Sequence, residues 1–354
     1  MNVLQVNDSI KVNNQIIPSI DIMRIICALM VISIHINPFQ EYNTTFAYIC
    51  QQIIPRVAVP FFFAVSGYFL SISLFKKNDI MVVVKYLKRI LFTYTLWSVI
   101  YFMTIVPSII KGSYPIASAV KNFIKNYLLY GVYYHLWYFP ALIFCVLVFA
   151  FFYKINKLKL LIYLSILLYS IGLLGVSYSK FGNAIPILNS LYDFSQFSLI
   201  RRVALTGIPF FVLGYIMYIG KAYFDRISNR KSWIISIIIA LGFVLEIIAI
   251  TRLGISKQIM ITIFLYFLTG WILILSIKNP MKNFSKHSMN FRYIGNFAYY
   301  AHPLYILIIN TVCTRIFGQT LTQTPRFFIV CVLTITTSLL ISKINNKYLL
   351  KLMV

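Results

Sequence analysis

Apolar runs of membrane-crossing length recur from one end of this chain to the other, separated by short polar breaks. A helix needs about 20 predominantly apolar residues to span the hydrocarbon core of a bilayer. Of 354 residues, 60% are hydrophobic and only 11% charged, a balance that excludes an ordinary soluble domain. The sequence therefore predicts an all-α, polytopic membrane protein. Apolar runs read against polar breaks give about ten transmembrane helices, roughly at 18–37, 53–75, 89–110, 135–153, 158–176, 205–222, 233–251, 257–277, 293–313 and 326–343.

No soluble domain is expected at either end, so residues 1–354 read as a single integral membrane domain. The segment 1–16 is polar and has no apolar core followed by a small-residue cleavage site, so the first membrane helix is expected to act as the targeting signal. The 32 Lys and Arg outnumber 7 acids and give a net charge of +25. These cations lie in short inter-helix loops rather than on one continuous patch, which argues against a nucleic-acid partner and for topology determinants facing anionic lipid. Counted over the ten-helix arrangement, twenty Lys and Arg fall on the side of the termini and eleven on the other. That bias predicts that both termini, including a short segment 1–16, are cytoplasmic. The five cysteines show no CxxC spacing, and no metal site or disulfide framework is expected.

Inside the first helix stand one arginine and one histidine, Arg24 and His35. Eleven residues make three turns plus about 20°, so the two share a helix face about 16 Å apart along the axis. A guanidinium in hydrocarbon costs on the order of 3 kcal/mol, which marks Arg24 as a functional candidate; the alternative is an arginine snorkelling to the interface and a histidine closing the helix. With cytoplasmic termini, Arg24 lies toward the inside and His35 toward the outside. Arg56 and His135 open helices two and four at the same outer depth as His35. Lys85, Lys88 and Arg89 crowd the cytoplasmic start of helix three. Glu246 and His302 fall near the middle of helices seven and nine. Bland readings stand beside each: Glu246 as the partner of an intramembrane arginine, His302 as a packing residue, and His135 with Trp137 as part of an interfacial aromatic belt. Ser66-Gly67 lies within a span and reads as a site of close helix packing.

Four motifs carry a resemblance to a known family. Arg24-x10-His35 is the signature spacing of the acyltransferase-3 integral membrane family. Arg56-Val-Ala-Val-Pro60-Phe-Phe-Phe-Ala-Val-Ser66-Gly67-Tyr resembles its second signature, His135-Leu-Trp137-Tyr its HLWF segment, and Ile294-Gly295-Asn-Phe-Ala-Tyr-Tyr-Ala-His302-Pro its late element. Arg56 to Tyr68 and Tyr134 to Ile143 also look like the membrane half of the membrane-bound serine racemases of vancomycin resistance, proteins that carry a soluble racemase domain after it. One element departs from the family pattern: its RxxR stretch appears here as Lys85-Tyr-Leu-Lys88-Arg89, with Tyr86 at the first arginine position.

The resemblance implies an enzyme of the bacterial cytoplasmic membrane that transfers an acyl group, usually acetyl, from cytoplasmic acyl-CoA to a hydroxyl of an envelope glycan or lipid-linked sugar. Acetyl-CoA is then a cosubstrate, and no cofactor is permanently bound. Such a transfer needs a base, a means of stabilising the oxyanion, and a grip on the donor's phosphates. His35 and Arg24 are the expected catalytic pair, with His35 as base or as covalent acyl carrier. Lys88 and Arg89 are expected on the donor's phosphates. Arg56, His135, Trp137, His302 and Glu246 are expected toward substrate. The alternative implied by the racemase likeness is a membrane transporter, such as an L-serine uptake module.

Overall fold

A computed structural model describes residues 16–194, 197–256, 259–344 and 350. The expected N-terminal segment up to residue 15 and most of the basic tail lie outside those residues. Among the described residues the chain is helical throughout, with no strand. Ten helices exceed eleven residues: α1 (Pro18–Ile36), α2 (Ala58–Lys77), α3 (Met81–Met103), α4 (Tyr138–Lys154), α5 (Leu158–Gly175), α6 (Ile208–Ile219), α7 (Asn229–Arg252), α8 (Ile263–Lys278), α9 (Ser288–Phe317) and α10 (Gln323–Ile344).

Local chemistry sets their ends. Pro18 occupies the first turn of α1, where a missing N–H costs nothing, and Asn37 in the left-handed region closes it. Thr262 accepts the Leu265 N–H at the start of α8, and Gly318 at φ 70° ends α9. The outward faces are apolar: on α7, Ile234, Ile237, Ile238, Leu241 and Leu245 are all exposed, as expected where lipid replaces water.

Six helical stretches are long and apolar enough to cross a membrane, and seven if the bent pair of α8 and Lys282–Phe317 counts as one span. All ten helices overlap the ten expected spans in order. The α3 helix begins at Met81, eight residues earlier than expected, and so takes Lys85, Lys88 and Arg89 into its first turns. At 17 residues, α4 is short for a span.

Two helix contacts position everything that follows. In the first, α2 lies against α6. A Cβ added at Gly67 would meet the Phe211 carbonyl oxygen at 1.9 Å, and one at Gly214 the Ala64 carbonyl oxygen at 2.0 Å, so the two backbones touch through reciprocal glycines. In the second, α1 lies along α9 in parallel. A Cβ at Gly295 would stand 3.0 Å from the backbone of Arg24 and Ile25. The α1 and α2 helices also pack together, which brings these two contacts into one core.

Candidate active site

A cavity of about 690 Å³ opens among the starts of α1, α3 and α9 and the end of α2. Its walls carry Arg24, Lys76, Lys77, Arg89 and Arg292, and no carboxylate lines it among the described residues. Its size is that of a pocket for a substantial small molecule, and five cations at the wall suit an anion. Behind the wall sits Asp21, 1% exposed, which joins two of the guanidiniums: Arg24 Nη1 donates to Oδ1 at 2.6 Å and Arg292 Nε to the same oxygen at 3.1 Å. Ser288 Oγ donates to Oδ2. A buried carboxylate is tolerable only when its lone pairs are filled in this way. Arg24 additionally lies 5.6 Å from the centre of the Phe69 ring, and Arg89 5.3 Å from that of Tyr86.

The inner wall of the cavity is aromatic, formed by Phe62, Tyr138, Phe139, Tyr299 and Tyr300. Directly behind Tyr299 stand three imidazoles from three elements. His35, at the last turn of α1, stacks on His302 of α9 with ring centres 5.3 Å apart and planes 19° from parallel. His135, just ahead of α4, meets His302 edge to face at 5.2 Å. Tyr299 Oη donates to the His135 carbonyl at 2.6 Å, and its ring is 5.7 Å from that of His135. His135 and His302 are 2% and 0% exposed, whereas His35 is exposed and touches Tyr134 at 4.5 Å.

Hydrogen bonds fix the two buried rings. Pro303 has no N–H, so the Tyr299 carbonyl one turn earlier lacks its usual helical donor. His302 Nδ1 takes that place at 2.9 Å and also reaches the Ala298 carbonyl at 3.1 Å. His135 Nε2 lies 3.1 Å from the Tyr300 carbonyl. A carbonyl only accepts, so these nitrogens carry the protons. The opposite nitrogens, His302 Nε2 and His135 Nδ1, are lone-pair acceptors, buried and with no protein partner.

The structure groups the expected residues differently from the sequence reading. Arg24 and Arg89 reach the cavity, but Lys88 points away and does not line it. The chamber-facing side of α3 carries Tyr86, Arg89, Ile90 and Thr93, and Lys88, about 100° back from Arg89, falls outside that face. His35, His135 and His302 come together, though His35 does not line the cavity that holds Arg24; Tyr299 separates the two ends. Arg56 is held by its own turn, its Nε donating to the Gln52 carbonyl at 2.7 Å and its Nη2 to the Gln52 side chain, so it does not join the histidines. Trp137 turns to Phe63 and carries Arg202 over its ring at 5.4 Å. Glu246 is neither at the cavity nor paired with an arginine. It accepts from Ile263 N at 2.7 Å, Phe264 N at 2.8 Å and Tyr178 Oη at 2.6 Å, capping the start of α8. Asp21 and Arg292 are the residues that the sequence reading missed. The signal was present: Arg292 precedes His302 by ten residues, nearly repeating the interval from Arg24 to His35. Among the described residues, no group of three His, Cys, Asp or Glu side chains is placed to hold a metal ion.

A helical membrane protein with a cationic chamber at one end and clustered imidazoles at the other is the class that these features define. Residues 17–343 match the Acyl_transf_3 family, described as an acyltransferase domain, and the chain belongs to that family. It is 36% identical over 178 residues to an amino-acid racemase of Enterococcus faecalis, covering 49% of this chain and 25% of the racemase. Another amino-acid racemase of the same organism is 31% identical over 203 residues, 57% of this chain and 28% of the relative. A serine/alanine racemase of Enterococcus gallinarum is 34% identical over 128 residues, 35% of this chain and 18% of the relative. The match thus covers between 18% and 28% of the length of these relatives. No solved structure matches it.

Proposed function

We propose that the protein is a membrane O-acyltransferase that takes an acetyl group from cytoplasmic acetyl-CoA and passes it to a hydroxyl of an envelope glycan or lipid-linked sugar. The observation that carries this reading is the cavity: cations from four helices face one chamber, and its aromatic end wall backs directly onto the imidazole cluster. In this reading the cavity end faces the cytoplasm of a bacterial cell. Arg24, Arg89 and Arg292 hold the donor's phosphates, as guanidiniums favour bidentate phosphate contacts. The thioester reaches the wall of Tyr138 and Tyr299. His35, reachable from the other end, meets the acceptor.

The chemistry is proton removal from the hydroxyl by a neutral imidazole, attack on the thioester carbonyl carbon, and loss of the coenzyme thiolate. Purified protein in vesicles should bind acetyl-CoA and label an added envelope glycan preparation with radioactive acetyl. His35→Ala should abolish labelling while leaving donor binding intact. Full labelling by His35→Ala, or no labelling by the wild type with any glycan fraction, would remove the reading. A second reading rests on the printed names of the relatives: a membrane module that admits an amino acid such as L-serine. Uptake of labelled L-serine by the same vesicles, with no acetyl transfer, would favour it.

A further inference from the structure

The three imidazoles are not equivalent, and the difference bears on which of them receives the proton. A base of defined direction needs its other nitrogen anchored, because the proton it already carries decides where the lone pair points. His35 touches the rings of Tyr134 and His302, and ring contacts fix a plane without choosing a tautomer. His302 is different. Its Nδ1–H is drawn to two carbonyls, one of which lacks a helical donor because the next residue is Pro303. That leaves Nε2 as a lone pair of fixed direction, fully buried, with no protein donor. A buried acceptor without a donor keeps its full desolvation penalty, and native structures rarely keep one without a use or a small-molecule partner. His135 presents the matching case 5.2 Å away, its Nδ1 equally unfilled.

Resting on the acyl-transfer reading above, we propose that His302 is a further catalytic residue: its Nε2 is the atom that takes the proton of the attacking hydroxyl. Between turnovers, one water can serve both lone pairs, giving one hydrogen to His302 Nε2 and one to His135 Nδ1. The acceptor hydroxyl displaces that water and donates its single hydrogen to His302. As the hydroxyl oxygen bonds to the thioester carbonyl carbon, its proton passes to Nε2. When the C–S bond breaks, the departing thiolate takes the proton back, leaving ester, free thiol and neutral imidazole. His135 keeps its proton on Nε2 and acts as a positioning residue.

His302→Asn tests the assignment. Asparagine places an amide N–H near the former Nδ1 and can still serve the Tyr299 and Ala298 carbonyls, but it has no counterpart of Nε2. The expected result is an acetyl-transfer rate at least 100-fold lower, with acetyl-CoA affinity and elution as a single folded species unchanged. A rate within threefold of wild type would overturn the proposal while leaving the acyl-transfer reading in place. A wild-type protein that transfers nothing would overturn both. Should His302→Asn fail to fold, the wild type itself decides. The chain has four histidines, so nitrogen NMR of protein labelled with 15N-histidine can resolve His302 as a ring protonated at Nδ1 with a lone pair at Nε2. Adding a glycan acceptor should shift that Nε2 resonance toward a hydrogen-bonded position. An Nε2–H tautomer, or no shift with an acceptor that is acetylated, would refute the assignment.

Discussion

Replacing Asp21 with asparagine probes the cavity wall most directly. The substitution keeps the shape of the side chain but removes the one negative charge that holds Arg24 and Arg292, at 2.6 and 3.1 Å, beside each other. Breaking a fully buried pair by deleting one partner costs about 3–5 kcal/mol. Arg24 and Arg292 are 16% and 31% exposed and line the chamber, so each can recover some hydration. A loss of about 2–3 kcal/mol is the discounted expectation for Asp21→Asn. At about 2.1 cal/mol/K of unfolding entropy per residue, a chain of 354 residues changes by about 0.7 kcal/mol per degree, so the melting temperature should fall by about 3–4 °C. The assay is a thermal melt of detergent-solubilised protein followed by tryptophan fluorescence. Removing one guanidinium at the same time, as Asp21→Asn with Arg292→Gln, relieves the remaining like-charge contact. The double variant should therefore be more stable than the sum of the single losses, by about 1 kcal/mol or more. An unchanged melt for Asp21→Asn, or strict additivity in the double variant, would refute the placement of Asp21 as the shared counter-charge.

Four further outcomes are expected. Gly67→Ala drives a methyl into the Phe211 carbonyl oxygen and should sharply reduce the yield of folded protein, read by size-exclusion chromatography in detergent; normal yield would contradict the close α2–α6 contact. Arg89→Ala should weaken acetyl-CoA binding about tenfold, the worth of one charge-assisted hydrogen bond, whereas Lys88→Ala should leave it within twofold, as measured by isothermal titration. Glu246→Ala should destabilise by about 1–2 kcal/mol through loss of the α8 cap, with donor affinity unchanged. Glu41 accepts the Thr324 N–H at 2.8 Å, which holds its carboxyl below the ordinary carboxylate range. The stabilisation from that bond is present at neutral pH and lost as pH falls through the depressed value, so the melting difference between wild type and Glu41→Gln should close on acidification.

What the sequence discloses is mostly periodic, and what it hides is mostly pairwise. The apolar runs give the helices, and the interval from Arg24 to His35 gives one face of α1 with a charge and an imidazole on it. The Ser66-Gly67 step is readable as a close contact, but not that Phe211 supplies the other side. Asp21 and Arg292 escape notice because their partnership crosses more than 270 positions and because α9 begins at Ser288, within what reads as a basic loop. Lys88 and Arg89 cannot be told apart by composition; the rotation of one residue around α3 decides which faces the chamber. Glu246 misleads for a related reason. An acid within an apolar run suggests a partner cation, yet backbone N–H groups of the next helix fill its oxygens just as well. The fixed protons on His135 and His302 depend on carbonyls of another element and on a missing N–H, and neither is a property of the local sequence.

The parallel pairing of α1 and α9 has a mechanical consequence. The two helices are fastened at one end through Asp21 and at the other through the His35–His302 stack, with Gly295 seated against Arg24 between them. A one-turn slip of about 5.4 Å would undo both fastenings at once, so the pair behaves as a rigid strut rather than a ratchet. The Tyr299 ring stands between the chamber and the imidazoles, packed against Phe62 at 5.6 Å and Tyr138 at 5.9 Å.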